Sequence, residues 1–404
     1  MAMIRYRATC LGLVLSLLVG CGGSEQPAPA PTPSPSEKPE PQVESSTSTA
    51  PAKATSADAS GGAAQAAVAF NPGMTAMFKP TVPEVVKTDE NPVTPEKIAL
   101  GRMLYYENRI SLGQQISCNT CHALDKYGID PREKNATSEG HDGQFGGRNS
   151  PTVYNAAGHI AQFWDGRAAD VEEQAQGPVL NPVEMAMPDP EYVIKVLKTI
   201  PGYVEAFKKA FPGEADPITY DNYGKAVGAF ERKLTTPGKW DQFVNGDMGA
   251  LSDAEKQGLS TFISTGCITC HMGTYLGGQM YQKVGLIQPW PDQKDQGRFE
   301  VTKNEADKMM FKVPSLRNIA KTAPYFHDGS VKDLGKAVRM MAKHQLGKEL
   351  SDADVDSIVT FLNALTGQIP VDYIAKPDLP ASGPDTPGPQ SKVTRAAAQK
   401  DSDS

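Results

Sequence analysis

Four cysteines and two histidines recur in one spacing, Cys118-Asn-Thr-Cys121-His122 and Cys267-Ile-Thr-Cys270-His271. C-x-x-C-H is the attachment signature of c-type haem. The spacing follows from the chemistry. Two thiols add across the two vinyl groups of a porphyrin, and the histidine that follows then lies under the iron as proximal ligand. Two other uses of the cysteines compete with this one. All four could build a single Cys₄ zinc site, or each pair could be a redox dithiol. Zinc does not call for a histidine at the same place after both pairs. A redox dithiol belongs in a thioredoxin-like βαβ context that the sequence does not show. The pattern therefore predicts two covalently bound haems, with His122 and His271 on the irons.

The elements ahead of the two motifs are alike. Thr94-Pro95-Glu96-Lys97 reads as a helix N-cap with proline in the first turn, followed by Ile98, Leu100, Met103 and Leu104 at helical spacing. Ser252 to Glu255 is a capping box, followed by Leu259, Phe262 and Ile263. Helix, short loop and attachment motif thus occur twice, which predicts two haem domains of one kind. A third helix begins at Ser351, with Val355, Ile358, Val359, Leu362 and Leu365 on one face and Gly367 placed to end it. Small c-type cytochromes close over their haem with such a C-terminal helix, so it is assigned to the second unit. Strand signals are weak. The expected fold is mainly α, two c-type cytochrome-like haem domains with long loops.

Residues 333–344 also read as a helix, with Leu334, Ala337, Val338 and Met341 on one face. Met341 then faces inward and Met340 does not. A thioether opposite the histidine would raise the haem's reduction potential and close the iron to substrate; a core methionine filling a gap is the other use. His141 stands in a glycine-rich loop, Gly140 to Gly147, and by itself reads as an exposed loop histidine. Trp164 by itself reads as a packing residue, and Glu184, beside Pro182 and Val183, as an ordinary loop glutamate.

The chain has 404 residues and a formal charge of −7. Arg5 and Arg7 precede an apolar run from Leu11 to Val19, too short to span a bilayer and laid out as a secretory signal. Leu18-Val19-Gly20-Cys21 resembles a bacterial lipobox, which implies cleavage before Cys21 and lipid attachment there. Export to an oxidising compartment suits thioether formation. Loss of residues 1–20 removes two arginines and no acids, so −7 becomes −9, a balance that excludes nucleic-acid binding by electrostatics. Residues 21–70, rich in Pro, Ala, Ser and Thr, cannot bury enough apolar surface to order themselves and read as a tether with a reach of roughly 40 Å. The expected organisation is a lipoprotein signal over 1–20, the tether over 21–70, a first haem domain over 71–235, a second over 236–372, and an extended C-terminal segment with a disordered tail over 373–404.

Between the motifs lie Arg148-Asn149-Ser150-Pro151-Thr152, Gln162-Phe163-Trp164-Asp165-Gly166-Arg167, Glu173-Gln174-Ala175 and Asn181-Pro182-Val183-Glu184-Met185. After the second come Phe311-Lys312-Val313-Pro314-Ser315-Leu316-Arg317-Asn318 and Ala323-Pro324-Tyr325-Phe326-His327-Asp328-Gly329. In order and spacing this resembles the bacterial dihaem cytochrome c peroxidases over roughly residues 75–370. Relatives that oxidise protein side chains share the framework, so the resemblance alone does not fix the substrate.

The resemblance implies that the first haem reduces hydrogen peroxide and that the second, with Met341 as its sixth ligand, accepts electrons from a small soluble donor, a cytochrome or a copper protein. The protein-oxidising relatives carry a tyrosine where Met341 stands. The resemblance makes His141 the resting distal ligand of the first haem, Glu184 the general acid/base, Gln174 the hydrogen-bond partner of peroxide and Trp164 an electron relay between the haems. It also implies one calcium ion, held by Asn149 and by the backbone carbonyls of Thr322 and Pro324, and it leaves a homodimer open. His159, His327 and His344 receive no ligand role; His159 departs from the family's usual motif and is read as structural. The expected place is the periplasmic side of the envelope. The alternatives are a dihaem electron-transfer cytochrome without peroxide chemistry and a dihaem oxidase of a protein substrate.

Overall fold

A computed structural model describes residues 71–132 and 135–391. The expected signal over 1–20, the lipid site Cys21, the tether over 21–70 and the last thirteen residues from 392 lie outside the described residues. The described residues belong to one compact unit and are mostly helical.

Each attachment motif follows a capped helix that crosses a later helix at a glycine. The Pro95–Tyr105 helix starts at Thr94, whose hydroxyl accepts from the Lys97 N–H at 3.2 Å, with Pro95 where no intrahelical donor is needed. It crosses the Tyr220–Glu231 helix at Gly101, where a Cβ would stand 1.9 Å from the Ala226 carbonyl oxygen. The Asp253–Thr265 helix starts at the reciprocal box of Ser252 and Glu255 and ends at Gly266, whose φ of 104° favours glycine. It crosses the Asp352–Ala364 helix at Gly258, where a Cβ would stand 2.2 Å from the Ser357 carbonyl oxygen. The C-terminal helix thus packs on the helix ahead of the second motif, as expected. It stops at Ala364 with Leu365 as its cap, so Gly367 does not end it. Gly367 is instead pressed against the Thr236 carbonyl, 2.0 Å from where its Cβ would be.

Two clusters of buried side chains result. One gathers Leu100, Leu104, Tyr105, Val179, Phe207 and Phe230, with Cys118 packed against it. The other gathers Trp240, Phe243, Leu259, Phe262, Ile358 and Phe361, with Cys267 packed against it. Each fully buried Leu or Phe contributes about 1.5–3 kcal/mol over leaving it exposed. The ends of the described chain cross between the clusters, and here the expected boundaries need correction. Phe78, placed in the first domain by sequence, meets Trp240 edge-on at 5.0 Å in the second cluster. Ile374, placed after the second domain, is buried in the first. The segment that follows stays bound. Arg109 donates to the Pro380 carbonyl at 2.9 Å, Gln114 to the Pro387 carbonyl at 2.7 Å, and Gln390 to the Leu112 carbonyl at 2.8 Å. Residues 382–391 are therefore a strap on the first cluster rather than a free tail.

Sheet is confined to one antiparallel pair of short strands, β1 (Tyr281–Lys283) and β2 (Met310–Lys312), with Tyr281 opposite Lys312. No helix among the described residues is long and apolar enough to cross a membrane.

Candidate functional site

The first motif opens onto a cavity of about 580 Å³, a size suited to a cofactor. Cys118, Cys121 and His122 line it, together with Trp164, Gln174 and Glu184. Residues spread over 67 positions of sequence, from Cys118 to Glu184, thus meet in one space. His141 does not line it.

The cavity's chemistry fits a haem. His122 lies with Nδ1 3.4 Å from the Gly128 carbonyl, and His271 with Nδ1 3.1 Å from the Leu276 carbonyl. A carbonyl only accepts, so each Nδ1 carries the proton and each Nε2 keeps a free lone pair for a metal. Burial pushes both imidazoles down, His271 to about 4, which keeps them neutral and able to ligate. The four thiols form no disulfide. Burial pushes Cys118 and Cys267 up to about 12 and Cys121 up to about 11. A redox dithiol needs a depressed thiol, so the structure argues against that use. Among the described residues no three His, Cys, Asp or Glu side chains converge, so the two pairs do not make one zinc site.

Glu184 is brought in by the turn after the Val171–Leu180 helix. Its Oε1 accepts from the Asn181 amide at 2.8 Å. Burial pushes its carboxyl above the usual carboxylate range, against the opposing pull of Arg167 and of Asn181. Gln174 lies on the preceding helix and lines the same space. The pair can hold a proton and offer an amide to one small polar molecule.

His141 sits elsewhere. It is buried at 4 % exposure, and its backbone N–H donates to the Glu184 carbonyl at 2.8 Å. Its Nε2 lies 3.3 Å from an Asp142 carboxylate oxygen without forming a hydrogen bond. The loop that carries it is therefore tied to the strand of chain carrying Glu184, while the imidazole lies outside the cavity.

Trp164 joins two regions. It lines the cavity, and it packs against the small cluster of Trp290, Met309 and Phe311 that Met340 and Met341 also touch. Its indole N–H donates to the Asn149 carbonyl at 2.9 Å, and its own carbonyl accepts from the Lys312 N–H at 2.8 Å. Met341 projects from the Leu334–Leu346 helix toward this cluster. Met340 does so too and also reaches the cluster of Tyr325 and Val331, so the expectation that it faces away is wrong. The helix lies between two clusters, and neighbouring positions can both be covered.

Asn149 and Pro324 line a second cavity of about 670 Å³; Thr322 does not line it, although it lies next to Ala323, which does. Asp125 and Asp130 line it as well, so the cavity has carboxylate and amide oxygens on its wall, donor types that calcium accepts.

Three features were not read from sequence. Arg148, in a quoted motif but without a role, donates to Asp165 at 2.5 Å and to Asp295 at 2.6 Å and 2.7 Å, fastening the two halves at the cavity. Glu231 turns an acid into the cavity beside Cys118. Lys312 lies against His159. Arg148 lies in an irregular segment with no period to flag it, and Glu231 and Lys312 stand at the ends of a helix and of a short strand, where periodicity says nothing of what a side chain meets.

The family model described as di-haem cytochrome c peroxidase matches residues 95–249. The chain is 44 % identical over 330 residues to the cytochrome c551 peroxidase of Pseudomonas aeruginosa, covering 80 % of this chain and 93 % of that one. It is 44 % identical over 320 residues to the protein of the same name from Nitrosomonas europaea, covering 79 % and 92 %. Among solved structures, a MauG-like protein associated with microbial copper homeostasis superposes with a TM-score of 0.65 at 25 % identity, covering 74 % of this chain and 98 % of that one.

Proposed function

The chain belongs to the dihaem cytochrome c peroxidase family, and from that premise we propose that it reduces hydrogen peroxide to water with electrons from a small soluble donor protein. The reaction is H₂O₂ + 2 e⁻ + 2 H⁺ → 2 H₂O. The observation that carries the proposal is the meeting of Glu184 and Gln174 with Cys118, Cys121 and His122 around one cavity.

Two haem-carrying units are proposed, each holding its porphyrin covalently, the first through Cys118 and Cys121 with His122 on the iron, the second through Cys267 and Cys270 with His271. When bound, the haems supply the electrons that cleave the O–O bond. The rest falls to the chain's own side chains. The Gln174 amide orients peroxide by a hydrogen bond. The Glu184 carboxylate takes the proton from one peroxide oxygen and returns it to the other, which leaves as water. A carboxyl held above its usual range by burial exchanges that proton more readily near neutral pH than an exposed one. Trp164 relays electrons in this reading, which is supported by its touching both the cavity and the Met341 cluster. Met341 is proposed as the sixth ligand of the second haem. His141 is proposed as the resting ligand of the first, which requires its loop to turn the imidazole inward.

One calcium ion is proposed at Asn149 and the backbone carbonyls of Thr322 and Pro324. Its support is that the Asn149 carbonyl is hydrogen-bonded to Trp164 while Asn149 also lines the second cavity. Lipid attachment at Cys21 and a periplasmic position rest on the sequence of the leader alone.

The test is steady-state oxidation of a reduced small cytochrome by peroxide, catalysed by the two-haem protein before and after half-reduction. Peroxide-dependent turnover supports the proposal. Electron exchange with the cytochrome but no response to peroxide would sink it and favour a plain electron carrier.

A further inference from the structure

The C-terminal strap reaches the peroxide cavity through a ladder of backbone bonds. The Gln390 N–H donates to the Leu112 carbonyl at 2.8 Å, the Leu112 N–H to the Met185 carbonyl at 2.8 Å, and beside it the His141 N–H to the Glu184 carbonyl at 2.8 Å. Four segments far apart in sequence thus lie side by side: the strap, the stretch ahead of the first attachment motif, the Glu184 turn and the His141 loop. Gly113 is caught between the first and the last. A Cβ there would lie 3.2 Å from His141 Nδ1 and 3.8 Å from the Gln390 carbonyl oxygen. Ile116 and Ser117, just beyond it, line the cavity with Glu184.

The strap is not held there by a core of its own. Beyond Leu379, which packs against the first cluster, the residues from Pro380 to Ser391 include no large apolar side chain. Hydrogen bonds hold them instead. The Gln114 amide donates to the Pro387 carbonyl at 2.7 Å, the hydroxyls of Thr386 and Thr199 meet at 3.0 Å, and the Gln390 amide donates to the Tyr192 hydroxyl at 2.8 Å. Pro380, Pro384, Pro387 and Pro389 leave the segment little backbone entropy to lose. What such a segment adds is a fixed edge for Leu112, whose carbonyl faces the strap and whose N–H faces the Glu184 turn. A misplacement of about 1 Å at a catalytic group costs about 10²-fold in rate, so the placing of that turn matters.

We propose that the strap is a positioning element of the peroxide site, acting through Gln390 and Leu112 to keep Glu184 facing the cavity and His141 in its outward niche. The inference rests on the reading of that cavity as a peroxidase site. No strap residue lines the cavity, so the effect passes through the ladder. A loosened ladder lets the Glu184 turn drift and frees the His141 loop to return its imidazole to the iron.

The test compares the intact two-haem protein with deletions of residues 382–404 and of residues 392–404. Haem content is measured first. The spin state of the first haem in the half-reduced protein, by electron paramagnetic resonance, is then read beside kcat/KM for peroxide. Deletion of 382–404 raises the low-spin fraction of the first haem and lowers kcat/KM about tenfold, while the rate at which the donor reduces the second haem holds. Deletion of 392–404, which keeps the ladder, leaves all three at wild-type values. If the longer deletion does not load both haems, Gln390→Pro decides. It removes the N–H that Leu112 accepts, whereas Gln390→Ala keeps that bond and loses only the Tyr192 contact. The low-spin fraction rises in Gln390→Pro and not in Gln390→Ala. A spin state unmoved by deletion of 382–404, or in Gln390→Pro where that variant decides, overturns the proposal even if Tm falls, because the strap would then be structural only. So does an equal change on deletion of 392–404. A wild-type protein with two haems and no peroxide turnover sinks the functional reading; wild-type turnover with an indifferent strap sinks this inference alone.

Discussion

The imidazole of His141 is packed against Gly113, its Nδ1 3.2 Å from the point that a Cβ at Gly113 would occupy. The loop is fixed on its other side as well. The His141 N–H is bonded to the Glu184 carbonyl, and Gly140 is pressed so closely on Val183 that a Cβ would come within 2.1 Å of its carbonyl oxygen. A side chain at position 113 would therefore press on the ring in this niche and require it to give by a few tenths of an ångström. Gly113→Ala crowds the ring and favours the inward position. In the resting two-haem protein the six-coordinate low-spin fraction of the first haem should rise, as read by electron paramagnetic resonance. An unchanged spectrum would show that this niche does not compete with ligation.

Glu184 gives the second prediction. Glu184→Gln keeps the shape and the contact with Asn181 but cannot accept a proton. Loss of a positioned acid/base lowers the rate by about 10²–10⁴-fold. We expect kcat/KM for peroxide to fall in that range while both haem spectra stay as in wild type. The pH profile should move too. Because burial raises the Glu184 carboxyl, the base is absent at low pH, and kcat/KM should rise with pH through a value above the ordinary carboxylate range. A profile flat across the acidic range in wild type would remove Glu184 from the proton transfer.

Much of this was legible in the sequence because it is local. Thr94 with Pro95, Ser252 with Glu255, and the apolar face from Val355 to Leu362 each specify a helix from a few adjacent residues. The convergence of Glu184, Gln174 and Trp164 was legible only through family motifs, since they lie on loops and helix ends with no period of their own. What stayed hidden is tertiary. Nothing around Phe78 or Ile374 says that each crosses to the other cluster, because an isolated apolar residue fits either core. The inward turn of Met340 was missed because a one-sided helix was assumed where two clusters flank it.

The third prediction concerns Glu231, buried in the cavity wall at 5 % exposure. Burial, helped by the neighbouring Glu172 carboxylate, pushes its carboxyl from 4.5 up to about 8. The folded state therefore binds this proton more tightly than the unfolded chain does. The stabilisation is fully present below about pH 4.5 and is lost progressively as pH rises through about 8. Glu231→Gln should leave Tm near wild type at pH 5 and raise it at pH 9, where the difference reaches a few kcal/mol, on the order of a pKa displacement converted by about 1.4 kcal/mol per unit. Thermal unfolding of the two-haem protein at the two pH values is the check. Parallel Tm curves for variant and wild type would mean that the acid finds a partner when the cavity is filled.

Gly101 and Gly258 give the last prediction, and it tests whether the two halves are built alike. In an unhindered helix Gly→Ala stabilises by about 0.5–1 kcal/mol, because alanine has less backbone freedom to lose. At these crossings the new methyl would stand 1.9 Å from the Ala226 carbonyl and 2.2 Å from the Ser357 carbonyl, and backbone oxygen cannot rotate away. Overpacking of this kind costs about 1–3 kcal/mol, so it outweighs the helix gain. Both Gly101→Ala and Gly258→Ala should lower Tm. Gly335→Ala is the control: its new methyl would meet only the Asp333 side chain at 3.3 Å and the Val355 side chain at 3.5 Å, so Tm should hold or rise slightly. If Gly258→Ala is destabilising and Gly101→Ala is not, the Pro95–Tyr105 helix can slide where the Asp253–Thr265 helix cannot. The correspondence between the two helix crossings would then be topological only, without a shared packing constraint.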